Sequence, residues 1–185
     1  MQDEITGRIV SALSVQLSDG EANRLHSQHT NSHEAHDWFL RGRIRYREPG
    51  PQANAEAHGM FDRALALDSG FSWALAIRSY VKFHAWFFKW NTAPDALAEA
   101  LADAETTATL DPDLAAAHSY LGWMHMWDEG HERALAEHEK ALALDPNFSE
   151  GYMWHASTLV YSGQPERAIK PMERAMRLGP HFPPM

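Results

Sequence analysis

The chain contains no cysteine. That absence removes disulfides, thiolate nucleophiles and cysteine-based zinc sites together, and it suits a reducing compartment, with the cytoplasm as the expected location. No stretch approaches the roughly 18–20 uninterrupted apolar residues that a membrane helix needs, so no membrane span is expected. The acidic start Met1-Gln2-Asp3-Glu4 has the wrong charge for a signal peptide. Basic residues are few: 16 Lys and Arg stand against 25 Asp and Glu, a formal charge of −9, and no basic run offsets it locally. Such a balance opposes phosphate backbones and anionic lipid heads, and nucleic acid is not an expected partner. GxSxG, a phosphate-cradling glycine loop and a Cys–His pair are all missing, and Asp and Glu fall mostly on predicted solvent faces. Neither an enzymatic activity nor a cofactor is expected. What is present is 44% apolar residues over 185 positions, enough for a real core and short enough for one domain or one solenoid segment.

The organising feature is a repeat. Aligning ALALDPNF, ending at Phe148, with RAMRLGPHF, ending at Phe182, sets Pro146 over Pro180, Ala141 over Ala175, Ala134 over Ala168 and Gly122 over Ala156, each pair 34 apart. Pro112 and Ala100 stand 34 before Pro146 and Ala134, so the register continues backwards. An earlier copy closes in RALALDSGF with Ser69 where proline is expected; Ser69 to Pro112 is 43, one period plus nine residues. The insertion is placed between the two helices of that copy, around 85–95. The first copy starts near Ala35, contains Leu40-Arg41-Gly42 and carries about three extra residues in Glu48-Pro49-Gly50-Pro51. Small residues such as Gly122 and Ala134 let two antiparallel helices approach closely, and Asp-Pro ends a helix because a residue before proline avoids the helical region. Each period is therefore helix, turn, helix, turn. One hairpin cannot bury its apolar stripe alone, so neighbours stack into a solenoid.

These residues resemble the tetratricopeptide pattern of a large residue, Leu-Gly, an aromatic, a small Ala, a bulky residue, Ala and a closing Pro. The third copy supplies His118, Leu121-Gly122, His125, Ala134, His138, Ala141 and Pro146. The fourth supplies Tyr152, Ala156, Leu159, Ala168, Met172, Ala175 and Pro180. The departures are His125 and His138, at places usually aromatic. Over about residues 35–182 the resemblance implies an all-α, right-handed superhelical solenoid of four hairpins, at about 35–71, 72–114, 115–148 and 149–182. It also implies a protein-interaction module with a concave ligand face. A second resemblance concerns the run QDEITGRIVSALS followed by HEAHDWFLRGR. It looks like the junction in large bacterial regulators where an adenylate or guanylate cyclase domain, or a winged-helix domain, precedes a tetratricopeptide tail. None of a cyclase's metal-binding or nucleotide-binding residues can be placed on this sequence, so the implication is architectural: the tail of a signalling protein.

Outside the period, residues 1–30 are read as an amphipathic helix and linker, with Ile5, Ile9, Leu13 and Leu17 on one face. This helix either caps the first hairpin or lies in the groove. The far end stops as a new hairpin would begin, with no polar capping helix, and the chain is expected to be a fragment. Pro171 falls inside the last helix and is expected to bend it without breaking it.

Twelve histidines invite a metal hypothesis. His33-Glu34-Ala35-His36 lacks HExxH spacing, and His118, His125 and His138 fall at packing places of one hairpin, so no metal site is expected. The informative surface is the inner face of the first helices, counted from the small residues Gly42, Ser79, Gly122 and Ala156. It comprises Phe39, Arg43 and Tyr46; Trp73, Tyr80 and Phe83; Trp123, Met126 and Trp127; then Met153, Ser157 and Tyr161. So aromatic a face exceeds what a monomer normally exposes and points to a binding site or an internal contact. Relatives that grip the acidic end of heat-shock chaperones use a basic, Asn-rich clamp, whereas the matching places here hold Phe39, Ala76, Ser119, Met153, Tyr80 and Trp123. An apolar peptide or partner helix is the expected guest. The alternative is homo-oligomerisation through the insertion, where Trp86, Phe87, Phe88 and Trp90 fall in five residues.

Overall fold

The same turn recurs wherever one helical hairpin passes to the next. Phe71, Leu114 and Phe148 each donate a backbone N–H to the carbonyl three residues earlier, on Asp68, Asp111 and Asp145, at 3.1–3.2 Å. The aspartates at the first and third turns also accept an amide two residues on: Gly70 N–H reaches Asp68 Oδ1 at 3.0 Å and Asn147 N–H reaches Asp145 Oδ1 at 2.9 Å. Such Asx geometry is why Asp opens these turns whether Pro or Ser follows it.

The computed structural model describes residues 30–128 and 130–179. Among them run eight helices: α1 (His33–Tyr46), α2 (Pro51–Leu67), α3 (Ser72–Phe87), α4 (Ala96–Leu110), α5 (Ala115–Asp128), α6 (His131–Leu144), α7 (Ser149–Tyr161) and α8 (Pro165–Leu178). The amphipathic helix expected over 3–17 and the end at 180–185 lie outside the described residues. Pro51 and Pro165 open α2 and α8, where a missing N–H costs nothing. The Ser32 hydroxyl caps α1 by accepting Ala35 N–H at 3.2 Å. Helix α8 runs unbroken through Pro171.

Helices pair as α1–α2, α3–α4, α5–α6 and α7–α8, and each pair packs on the next through α2–α3, α4–α5 and α6–α7. Beyond that, α3 touches α5 and α5 touches α7. The odd-numbered helices thus form an inner layer and the even-numbered ones an outer layer. The insertion lies between α3 and α4, at 88–95. The core sits in the seam. One cluster centres on Phe39, Phe61, Phe71 and Val81, the next on Phe83, Leu101, Leu114, Leu121 and Met124, and a smaller one on Ala156, Leu159 and Ala168. Glycine sets the close approaches: a Cβ on Gly42 would stand 2.7 Å from the Phe61 ring, and one on Gly122 would stand 2.9 Å from the Ala134 carbonyl oxygen.

The three packing histidines are buried as their positions require. His118 ties α5 to α6 and to the turn before it, from Nδ1 to Glu137 Oε2 at 2.7 Å and from Nε2 to the Pro112 carbonyl at 2.9 Å. His138 Nε2 meets Thr158 Oγ1 at 3.1 Å and joins α6 to α7. Outside, Arg78 bridges Asp62 at 3.1 Å and Asp103 at 3.0 Å, tying α3 to both neighbouring outer helices.

A hydroxyl–carboxylate bond closes two repeats in the same way: Ser72 Oγ donates to Asp111 Oδ2 at 2.8 Å in the core, and Thr30 Oγ1 to Asp68 Oδ2 at 2.5 Å in a half-buried setting. Asp111→Ala is expected to lower stability by about 1.5–3 kcal/mol, because a buried charge-assisted hydrogen bond is lost. Urea denaturation of the variant against the parent chain checks this.

Candidate partner-binding groove

The inner helices present a continuous column of rings. Tyr46 on α1 meets Tyr80 on α3 edge-on at 6.1 Å between centroids. Tyr80 stacks on Tyr120 of α5 at 4.7 Å with the planes 5° apart, and Trp154 of α7 meets both edge-on at 5.3 and 5.1 Å. Offset and edge-to-face pairs of this kind are favourable beyond the area they bury. The Tyr46 hydroxyl is hydrogen-bonded to His84 Nδ1. Burial pushes the His84 imidazole down to about 4 and raises the hydroxyls of Tyr46, Tyr80 and Tyr120. These are neutral, packed groups at pH 7.

The column walls a cavity of about 300 Å3, which Trp73, Ile77 and Met153 complete. Three charged side chains reach it: Arg43 from α1, Arg47 from the cap that ends α1, and Glu150 from α7. Burial raises the Glu150 carboxyl, and the two guanidiniums draw it back down.

Beside the cavity, aromatic residues form a ridge at the C-terminal ends of the inner helices. Trp127 meets Phe87 at 5.0 Å, Tyr161 at 6.0 Å, Trp123 at 6.2 Å and Trp86 at 6.3 Å. The ridge continues through Phe88 and Trp90, stacked at 4.9 Å. Phe88 is 51% exposed, Trp90 38% and Tyr161 60%, so this side of the molecule offers rings to solvent. Lys89, at φ 58°, adopts the left-handed conformation that ends α3 and turns the insertion. Trp86 and Phe87 therefore fold against α5, while Phe88 and Trp90 project. A second cavity, of about 350 Å3, opens between Trp90, Phe88, His84 and Tyr46.

Most residues read from helical spacing stand on this surface. Tyr46, Trp73, Tyr80, Trp123, Met153 and Ser157 are half-buried along it, and Arg43, Trp127 and Tyr161 are exposed. Phe39 and Phe83 require correction. Phe39 is 5% exposed, packed at 4.8 Å from Phe71 and 6.0 Å from Phe61, and Phe83 is fully buried. Both belong to the hairpin cores and line neither the 300 Å3 cavity nor the space beside Trp90 and Phe88. Met126 is likewise buried. Spacing also missed Tyr120, Trp154 and Glu150. A usable signal existed for two of them, since Trp154 follows Tyr120 by the 34-residue period.

No family model matches the chain. A protein of Rhizobium meliloti (strain 1021) named "Putative adenylate cyclase 3" is 34% identical over 134 residues, covering 70% of this chain. The chain spans 23% of that relative's length. Among solved structures, MamA superposes with a TM-score of 0.54 at 18% identity, covering 79% of this chain and 78% of MamA. YrrB, described as a TPR protein with an unusual peptide-binding site, gives 0.52 at 16%, covering 80% of this chain and 70% of its own. TTC0263, a thermophilic TPR protein of Thermus thermophilus, gives 0.52 at 15%, covering 80% and 92%. Stacked helical hairpins with a 34-residue period, and these neighbours, agree: the chain has the tetratricopeptide-repeat fold.

Proposed function

We propose that the inner face of α1, α3, α5 and α7 receives an apolar segment of a partner protein, as an extended peptide or an amphipathic helix. The observation that carries this reading is the exposed aromatic ridge beside a ring-walled cavity, contributed by all four inner helices. Rings that remain in water after a solenoid has satisfied its own core are affinity for something else. The charges at the groove do not build a basic clamp: Arg43 and Arg47 both stand at the C-terminal end of α1, with Glu150 opposite. In a longer regulator such as the cyclase-named relative, the groove would dock a partner while other domains carry the chemistry. We read this chain as non-catalytic. Among the described residues no helix is long and apolar enough to cross a membrane.

Random 12-residue peptides displayed on phage and selected on the chain supply a defined probe. Enriched sequences are expected to carry two or more large apolar residues at extended or helical spacing. Replacing Trp127 and Tyr161 together by serine is expected to weaken the best peptide at least tenfold, about 1.4 kcal/mol, in a variant whose helical circular dichroism is retained at the binding temperature. Undiminished binding to that variant contradicts the reading.

Exposed, stacked Phe88 and Trp90 favour a second reading, self-association through the insertion. Sedimentation velocity over a wide concentration range is then expected to show a dimer that Phe88→Ser with Trp90→Ser dissociates. A monomer at every concentration removes this reading and leaves the groove.

A further inference from the structure

Two kinds of charge face one another across the 300 Å3 cavity without meeting. Glu150 stands in the first turn of α7; Arg43 stands in the last turn of α1 and Arg47 at the cap that ends it. Both guanidiniums are near enough to act on the Glu150 carboxyl. Among the described residues no ion pair or hydrogen bond joins it to either of them. Between these poles the walls are rings, chiefly Tyr80, Tyr120 and Trp154.

The guest can be narrowed by elimination. A wholly apolar guest would drive water from a carboxylate that has no donor, at a cost of several kcal/mol. A simple anion meets Glu150, and a simple cation meets two guanidiniums, each an opposed charge pair in a partly dry site. A guest with both signs a few ångströms apart on an apolar body satisfies every wall. Carboxylates match guanidinium geometry, an ammonium is stabilised both by a carboxylate and by aromatic faces, and a cavity of this size fits one large side chain.

We propose that this cavity is a binding site for a zwitterionic ligand, a free α-amino acid with a large apolar or aromatic side chain. Its ammonium is held by Glu150, its carboxylate by Arg43 and Arg47, and its side chain by Tyr80, Tyr120 and Trp154. The ligand bridges the first hairpin to the fourth, so occupancy reports small-molecule supply to the same surface that is proposed to dock a partner. This goes beyond the peptide-docking reading and stands without it. Neighbouring basic and acidic side chains on an apolar peptide carry the same pair of poles, and the test separates the two sources.

The test is isothermal titration of the full chain with L-phenylalanine and L-leucine, alongside N-acetyl-L-phenylalanine and L-phenylalaninamide. Saturable heat is expected with the free amino acids, and at least tenfold weaker binding when either end is blocked. Glu150→Gln and Arg43→Met are each expected to weaken L-phenylalanine at least tenfold while leaving the melting temperature unchanged. A fifth titrant is an end-blocked tetrapeptide with lysine and glutamate flanking two apolar residues. If it alone binds, and Glu150→Gln abolishes its heat, the poles belong to a peptide and the amino-acid assignment is overturned. No saturable heat from any titrant, or equal binding of free and blocked forms, overturns the site itself.

Discussion

Phe61→Ala is expected to lower stability by about 3–5 kcal/mol, the cost of emptying a large side chain from a close-packed site. Phe61 is fully buried, and its ring lies against Gly42 of the facing helix. The same contact can be attacked from the other side. Gly42→Ala adds one methyl group in mid-helix, where alanine is ordinarily favoured over glycine by about 0.5–1 kcal/mol. Here that methyl carbon would stand 2.7 Å from the Phe61 ring. Phe61 is enclosed on all sides and cannot give way, so overpacking of about 1–3 kcal/mol outweighs the propensity gain. Phe61→Leu combined with Gly42→Ala should then cost less than the two single changes added together, because the smaller side chain makes room for the methyl. Urea denaturation of the three variants reads all of this. A Gly42→Ala protein as stable as its parent would mean that α1 and α2 are not held this close.

Acid should weaken the fold well before its carboxylates are neutralised. Burial, and secondarily the neighbouring His155, press the His138 imidazole down to about 3, and burial presses His84 down to about 4. In the unfolded chain both titrate near 6.5. Between those values the unfolded state holds the extra protons, so stability is complete above about pH 6.5 and falls with pH down to each folded value. Each histidine contributes about 1.4 kcal/mol per pH unit in that window, so moving to about pH 4.5 costs on the order of 5 kcal/mol. His58, His125 and His155 shift in the same direction. Glu150, raised by burial, works the other way and offsets part of the loss. His138→Phe places at that position the aromatic that the repeat pattern expects, and it should remove the share that His138 carries, about 2.7 kcal/mol between pH 6.5 and 4.5. The urea midpoint of each protein across that range measures it, and an unchanged slope would mean that the imidazole is not carrying the acid sensitivity.

Much of this architecture was legible in the chain because its strongest signals are local. Proline spacing and small residues marked a helical repeat, whereas the left-handed turn at Lys89 that ends α3 carries no such signal. Which rings face a guest was less legible. Helical spacing puts Phe39 and Phe83 on the inner side of their helices, yet whether an inner ring is exposed depends on the neighbouring hairpin, and Phe61 and Phe71 close over Phe39. Glu150 was invisible for a different reason. It reads as an ordinary acidic residue in the first turn of a helix, and only the curvature of the stack sets it across a cavity from Arg43 and Arg47, more than 100 positions earlier.

Hydrogen–deuterium exchange of the chain with and without a selected peptide tests most directly the claim that the inner face is the working surface. Added protection is expected in α3, α5 and α7 and in the C-terminal turn of α1, with α2, α4, α6 and α8 unchanged. Protection confined to the outer helices, or to the 88–95 insertion alone, would contradict it and move the binding surface away from the groove.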